Sequence, residues 1–184
     1  MRAPTAGAVL LASGFARRYG SNKLLADYRG ATLIQRAFAA LPARLFTRAV
    51  VTSQYPEILA QAAPLGYQPL PNPTPEEGIA AGLRLGLEAL LDLDGVLFAV
   101  CDQPNLKTES IIRLLDHFQE SPQRIHALSW QGQRGNPVIF PRALYPELLA
   151  LRGDKGGGVV IKGHPELLTL VEAESQDELV DVDT

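Results

Sequence analysis

Apolar positions follow two alternating patterns along the chain. Short unbroken apolar runs recur as GAVLLAS (7–13), TRAVVTS (47–53) and GVLFAVC (95–101), with weaker runs at 125–129 and 137–140. Runs of this length, rich in Val, Leu and Ala and closed by turn residues, predict strands buried on both faces. Between them, Leu33, Ile34, Ala37, Phe38 and Leu41 fall on one helical face before Pro42. Segments 56–64, 77–91, 108–119 and 142–151 also read as helices. Strand and helix in alternation predict a mostly parallel sheet covered on both faces, a Rossmann-like three-layer α/β/α arrangement. With no internal repeat, low-complexity stretch or linker, residues 1–184 read as a single domain. The proline-dense PLPNPTP (69–75) has the length of an ordered connection.

Composition and charge narrow the classes. Seventeen Lys and Arg against 20 Asp and Glu leave a formal charge of −3, and the cations are scattered. There is no basic stripe to track a nucleic-acid backbone, so no nucleic-acid partner is expected. The apolar runs Ala8–Ala12 and Val96–Cys101 are far shorter than the roughly 20 residues needed to cross a bilayer, so no membrane partner is expected. Cys101, the single cysteine, excludes an internal disulfide framework and a cysteine-built zinc site. Together with the missing signal peptide, this points to a cytoplasmic protein.

In an open α/β sheet, ligands bind beyond the carboxyl ends of the strands. Two such ends carry chemistry. The loop Gly14–Lys23 joins Gly14 and Gly20, which permit close backbone approach, to Arg18 and Lys23, a planar fork and a point charge suited to phosphates. Its spacing fits neither the G-x-x-x-x-G-K-[ST] loop nor the G-x-G-x-x-G fingerprint, and a solvated basic loop is the bland alternative. The second end is Asp102-Gln103-Pro104, where a buried strand leads straight into a carboxylate that could hold a hard cation. The alternative of a helix cap is weakened by Thr108, six residues on and better placed to cap a helix at 109–119. GDKGGG (153–158) reads equally as a flexible turn or as a nest of amides for an anion. Cys101 reads as a packed core thiol, and His117, His126 and His164 share no metal-ligand spacing.

The segment LLASGFARRYGSNKLL (10–25) resembles the signature L-A-[AGS]-G-x-S-x-R-[MFY]-G-x-x-K-x-L of the MobA-like nucleotidyltransferases. The resemblance continues in order through NPTPEEGIAAGLRLG (72–86), CDQPNLKTESI (101–111), GNPVIFPRALYPELLALRGDKGGG (135–158) and DVDT (181–184). LASG, the K-L-L after the loop and GNPVIF look most like the branch that transfers cytidylyl groups to the molybdenum cofactor. The resemblance implies a fold of the nucleotide-diphospho-sugar transferase type and the cofactor Mg2+. It further implies a nucleotide site of Leu11, Ala12, Ser13, Gly14, Arg18, Lys23, Asn72, Gly78 and Asp102. Backbone amides of Ala12–Gly14 would face base and phosphates, Arg18, Lys23 and Asp102 would be catalytic, and Asp102 with Asp183 would share the metal. Arg134, Asn136, Asp154, Lys155 and Gly156, near Trp130, are the candidates for the acceptor side. The implied substrates are small molecules, CTP or another nucleoside triphosphate and a molybdopterin-type phosphate, with onward transfer to a molybdoenzyme or its chaperone. Ala16 and Gly82 stand where the family often has serine. Guanylyl transfer, transfer to another small phosphate, and a non-catalytic maturation chaperone on the same fold are the competing readings. A NAD-dependent oxidoreductase is disfavoured by the absent glycine fingerprint.

Overall fold

The structure, a computed structural model, describes residues 2–14 and 22–182. Strands are β1 (Ala6–Leu11), β2 (Asp27–Tyr28), β3 (Ala31–Thr32), β4 (Arg48–Ser53), β5 (Gln68–Pro71), β6 (Gly95–Val100), β7 (Ile125–Trp130), β8 (Gln133–Pro141) and β9 (Leu168–Glu172). Helices are α1 (Leu33–Ala40), α2 (Pro56–Leu59), α3 (Ile79–Glu88), α4 (Thr108–Glu120), α5 (Tyr145–Leu149) and α6 (Gly157–Gly163). Seven strands form one sheet in the order β5-β4-β1-β6-β8-β7-β9, and β2 and β3 form a separate small hairpin. β1 pairs in parallel with β4 and β6, β4 with β5, and β7 with β9, whereas β8 runs antiparallel to both neighbours. The mostly parallel α/β sheet expected from the alternation is thus present, with one reversed strand.

The reversal has a local cause. β7 and β8 are joined through Gln131 and Gly132, both at positive φ, as a two-residue hairpin turn requires. Pro137 has no N–H for the ladder, and it sits where the β7–β8 register shifts, a place that tolerates proline inside a sheet. Pro69 and Pro71 fall on β5, an edge strand, for the same reason.

Alternate strand residues feed two cores, one on each face. Leu10, Val51, Leu97 and Ile139 pack with Phe38 of α1 and with Ile111, Leu114 and Phe118 of α4. Val9, Val50, Phe98 and Val138 pack with Leu83 and Leu87 of α3, Leu148 of α5 and Val160 of α6. α3 lies so close to β1 that a side-chain carbon at Gly86 would come within 2.4 Å of Val9. That contact sets the helix amino terminus over the carboxyl ends of β1 and β4.

Three expected helices are shorter than their patterns. The 56–64 pattern yields α2 and a separate turn of 3-10 helix at Ala63–Leu65, and 142–151 divides into a 3-10 turn and α5. α3 starts at Ile79 because Gly78, at φ 93°, breaks the helical path. Thr108 does not cap α4: its hydroxyl donates to the Ala40 carbonyl at the end of α1, 3.0 Å away. Among the described residues, no helix is long and apolar enough to cross a membrane.

Candidate functional site

β1 has β4 on one side and β6 on the other, so successive connections leave it in opposite directions and open a crevice at their carboxyl ends. A cleft of about 400 Å³ occupies this position. Its floor is Leu11, Thr52 and Val100 at the strand ends, and one wall is Ser13, Gly14, Asn22 and Lys23. Cys101 and Asp102 form the second wall, and Gly78, Ile79, Gly82 and Asp154 the third.

β4 holds the first loop in place. Ser53 Oγ donates to the Ala12 carbonyl at 2.8 Å, Gln54 Nε2 to Ser13 at 3.3 Å and Tyr55 Oη to Gly14 at 2.9 Å. Three consecutive side chains thereby turn three consecutive carbonyls toward β4. The Ala12 amide donates to the Thr52 carbonyl at 2.8 Å, and Ala12 is fully buried. Ala12 therefore supports the loop from beneath instead of presenting its amide to the cleft. Sequence reasoning missed Ser53, Gln54 and Tyr55. Their signal is three polar side chains following the apolar run of β4.

Lys23 and Asp102 meet across the cleft mouth, Nζ to Oδ2 at 3.5 Å. Lys23 Nζ also donates to the Val182 carbonyl at 3.1 Å, and the Val182 amide donates to the Asp102 carbonyl at 2.7 Å. The two side chains remain 27% and 29% exposed, open enough to exchange each other for a ligand. Cys101 beside them is buried and donates its Sγ–H to the Leu11 carbonyl. Desolvation, with the neighbouring Asp102 charge, raises its pKa well above the ordinary thiol range, so it is a packing group and no thiolate nucleophile.

A polar recess lies deeper. Ser13 Oγ, Asn22 Nδ2, Thr52 Oγ1 and Asn72 Nδ2 are buried without hydrogen-bond partners. Three of them surround Gly82: a side chain starting there would lie 3.1 Å from Thr52 Oγ1, 3.7 Å from Ser13 Oγ and 3.8 Å from Asn72 Nδ2. Asn72 keeps its orientation because Oδ1 accepts from the Thr74 amide. Buried polar atoms that converge without partners mark a place where a polar ligand or water completes the bonding.

Of the expected site residues, Leu11, Ser13, Gly14, Lys23, Gly78, Asp102 and Asp154 line this one cleft, and Asn72 stands behind Gly82. Gly78 is required where it is, since a side chain there would meet Asp154 Oδ1 at 2.4 Å and the Gly153 carbonyl at 2.6 Å. That carbonyl accepts from the Ala80 amide, which docks the 153–154 turn on the start of α3. GDKGGG is thus a turn leading into α6, with Lys155 exposed and Gly156 against Ile79. Arg134 is exposed on β8 near Gly158, and the Asn136 carbonyl accepts from Gln103. Arg18 and Asp183 lie outside the described residues.

Among the described residues, no group of three or more His, Cys, Asp or Glu could hold a metal ion by itself. Asp102 still fits a divalent cation of the kind that keeps several waters and binds one or two carboxylates plus substrate phosphates. The histidines stay clear of the cleft: His126 is buried with Nε2 on the Ser121 carbonyl, and His164 pairs with Glu147, which raises its pKa.

A switch-point crevice with a strand-end carboxylate, a lysine and a polar recess defines a nucleotide-binding α/β protein. The chain belongs to the MobA-like NTP transferase domain family, whose model matches residues 8–168. It is a nucleotidyltransferase of the MobA/MocA type. It is similar to nicotine blue oxidoreductase of Paenarthrobacter nicotinovorans, 27% identical over 98% of this chain and 93% of that one. The purine catabolism protein PucB of Bacillus subtilis (strain 168) is 26% identical over 100% of this chain and 94% of its own. Among solved structures, Rv0371c of Mycobacterium tuberculosis H37Rv superposes with a TM-score of 0.84 at 24% identity, covering 100% and 95% of the two chains. Its complex with manganese gives 0.80 at 21%, over 98% and 94%.

Proposed function

We propose that this chain is a magnesium-dependent cytidylyltransferase that moves CMP from CTP to the terminal phosphate of a molybdopterin-type cofactor and releases pyrophosphate. The observation that carries the reading is the meeting of Lys23 and Asp102 over a recess of unpartnered polar groups. In this reading the base enters the recess, and the amides of Ser13 and Gly14 with Lys23 and Arg18 take the triphosphate. An acceptor phosphate oxygen attacks the α-phosphorus from the side of Asp154 and Gly156. The bond to the bridging oxygen breaks, and pyrophosphate carries away the electron pair. No side-chain nucleophile takes part. The residues position the reactants and offset negative charge, which is most of what this chemistry asks of a protein. Asp102, with Asp183, would hold the metal, which supplies charge stabilisation at the phosphates. The manganese complex of a structural relative supports a divalent ion in this fold.

The buried free thiol suits a reducing cytoplasm. The rim formed by Arg134, Asn136, Lys155 and Trp130 would face the acceptor and the molybdoenzyme or chaperone that receives it. The test is incubation of the chain with molybdopterin cofactor, magnesium and each nucleoside triphosphate, with pyrophosphate and dinucleotide identified. CTP should exceed GTP in kcat/KM by roughly 10²-fold, because the wrong base leaves buried hydrogen-bonding groups unpaired. Faster conversion of GTP would replace the cytidylyl assignment, and no pyrophosphate from any triphosphate would remove the enzyme reading in favour of a chaperone.

A further inference from the structure

Glu178 is fully buried, yet among the described residues no Lys or Arg side chain donates to its carboxylate. Its oxygens are satisfied by neutral donors: the Lys107 amide at 3.0 Å and Ser110 Oγ at 2.7 Å on Oε1, and the Glu174 amide at 2.9 Å on Oε2. Lys107 is the cap position of α4, and α4 has no side-chain cap of its own. A carboxylate from 71 residues away thus performs the capping, where the helix dipole favours a negative charge.

This bond fastens a strap. From Glu178 the chain runs back across the sheet end to the cleft. Gln103, directly after Asp102, donates from Nε2 to the Glu178 carbonyl at 3.5 Å and to the Asn136 carbonyl at 3.3 Å. Leu179 lies against Gly135, where an added side chain would meet it at 2.8 Å. Four residues beyond Glu178, Val182 holds both cleft groups, its amide on the Asp102 carbonyl and its carbonyl on Lys23 Nζ.

We propose that Glu178 is a positioning residue: its buried carboxylate anchors residues 179–182 so that Val182 sets Lys23 and the Asp102 backbone in their binding geometry. The inference rests on the nucleotidyltransferase reading for its consequence, while the anchoring itself is independent of it. Glu178→Gln is the informative change. Its oxygen can keep Lys107 and Ser110, but its amide nitrogen then faces the Glu174 N–H, donor against donor.

Two measurements on the full chain test this. Amide hydrogen exchange at Val182 in Glu178→Gln should accelerate by about tenfold or more, while Val9 and Val96 in the sheet keep their protection, the signature of local opening. Titration with CTP and Mn2+ should show the dissociation constant rising about three- to tenfold at a temperature where the variant is fully folded. A merely structural role would lower the melting temperature and leave both the affinity and the contrast between Val182 and the sheet untouched. Unchanged exchange at Val182, exchange rising equally at all three amides, or faster exchange without loss of affinity each overturns the proposal. If Glu178→Gln does not fold, Ser110→Ala removes one bond to the same oxygen and should give the same pattern at smaller amplitude. Failure of the unaltered chain to bind CTP with Mn2+ would count against the nucleotide function, whereas the exchange comparison decides the anchoring by itself.

Discussion

Asp94 and Asp102 bracket the same strand, one just before β6 and one just beyond it, and they do opposite work. Asp94 is saturated. It accepts from the Thr5 amide at 2.8 Å and the Thr5 hydroxyl at 3.1 Å, and it pairs with Arg2 at 2.9 Å and Arg142 at 3.2 Å. The Thr5 amide, then the Arg2 and Thr5 side chains, hold its pKa below the usual carboxylate range against the opposing effect of burial. Asp102 has a lysine at 3.5 Å and a cleft in front of it. A carboxylate with every lone pair engaged closes a structure, whereas one with a single loose partner among the described residues can take a ligand. At β6, then, the amino end is stapled and the carboxyl end faces an open cleft.

Five substitutions test that contrast. The largest effect belongs to Asp102→Asn, which we expect to reduce turnover by about 10²–10³-fold, the range for removing a preorganised electrostatic group, with circular dichroism and melting temperature nearly unchanged. Near-normal magnesium-dependent activity would place the metal elsewhere. Next, Lys23→Ala and Arg18→Ala should each weaken triphosphate binding or transfer by roughly 1.5–3 kcal/mol, as lost charged hydrogen bonds would. Calorimetry and steady-state rates that both stay flat would return the loop to a solvated surface.

Asp94→Asn should do the reverse, costing roughly 1–2 kcal/mol of stability at neutral pH and leaving kcat alone. The pH dependence has a definite sign. Because folding lowers the Asp94 pKa, its contribution is fully present above the unfolded value of about 3.9 and is lost as pH falls through the lower folded value. The stability gap between the variant and the unaltered chain should thus narrow in acid, and a gap independent of pH would contradict the charge argument. The smallest effect is expected from Gly82→Ser. The new side chain meets Thr52 Oγ1 at 3.1 Å and brings a hydroxyl to unpartnered atoms, so stability should shift by no more than about 1 kcal/mol. If backbone groups around Leu11–Ser13 and Asn72–Gly78 read the base, the CTP-to-GTP ratio should move by less than about tenfold. A hundredfold swing would assign selectivity to the side chains around Gly82 instead of that backbone.

Much of this was legible because parallel strands buried on both faces leave continuous apolar runs. β1, β4 and β6 were recovered in that way, and with them the strand ends that carry Ser13, Gly14 and Asp102. Strands without that signature were missed. β5 interrupts its pattern with Pro69 and Pro71, and β9 shows the part-exposed face of an edge. Lys23 and Asp102 were singled out separately by charge and position, but their approach to 3.5 Å depends on the return of Val182, which no local pattern encodes. The bracing of Ala12–Gly14 by residues 53–55 and the capping of α4 by Glu178 are likewise contacts between segments distant in sequence. Thr108 shows the converse: its residue type suits a cap, yet the neighbouring end of α1 offers its hydroxyl a carbonyl.

In the proposed function the carboxyl-end cleft takes a nucleoside triphosphate between Lys23 and Asp102. Thermal unfolding with saturating CTP and magnesium addresses it directly, since a ligand selective for the folded state adds about 2.7 kcal/mol at a hundred times its Kd. At that concentration we predict a rise of several degrees for the unaltered chain and for Asp94→Asn, measured from each protein's own starting point, and a rise cut to half or less for Lys23→Ala and Asp102→Asn. An equal rise in all four proteins, or none in the unaltered chain with any triphosphate, would rule out triphosphate binding between Lys23 and Asp102.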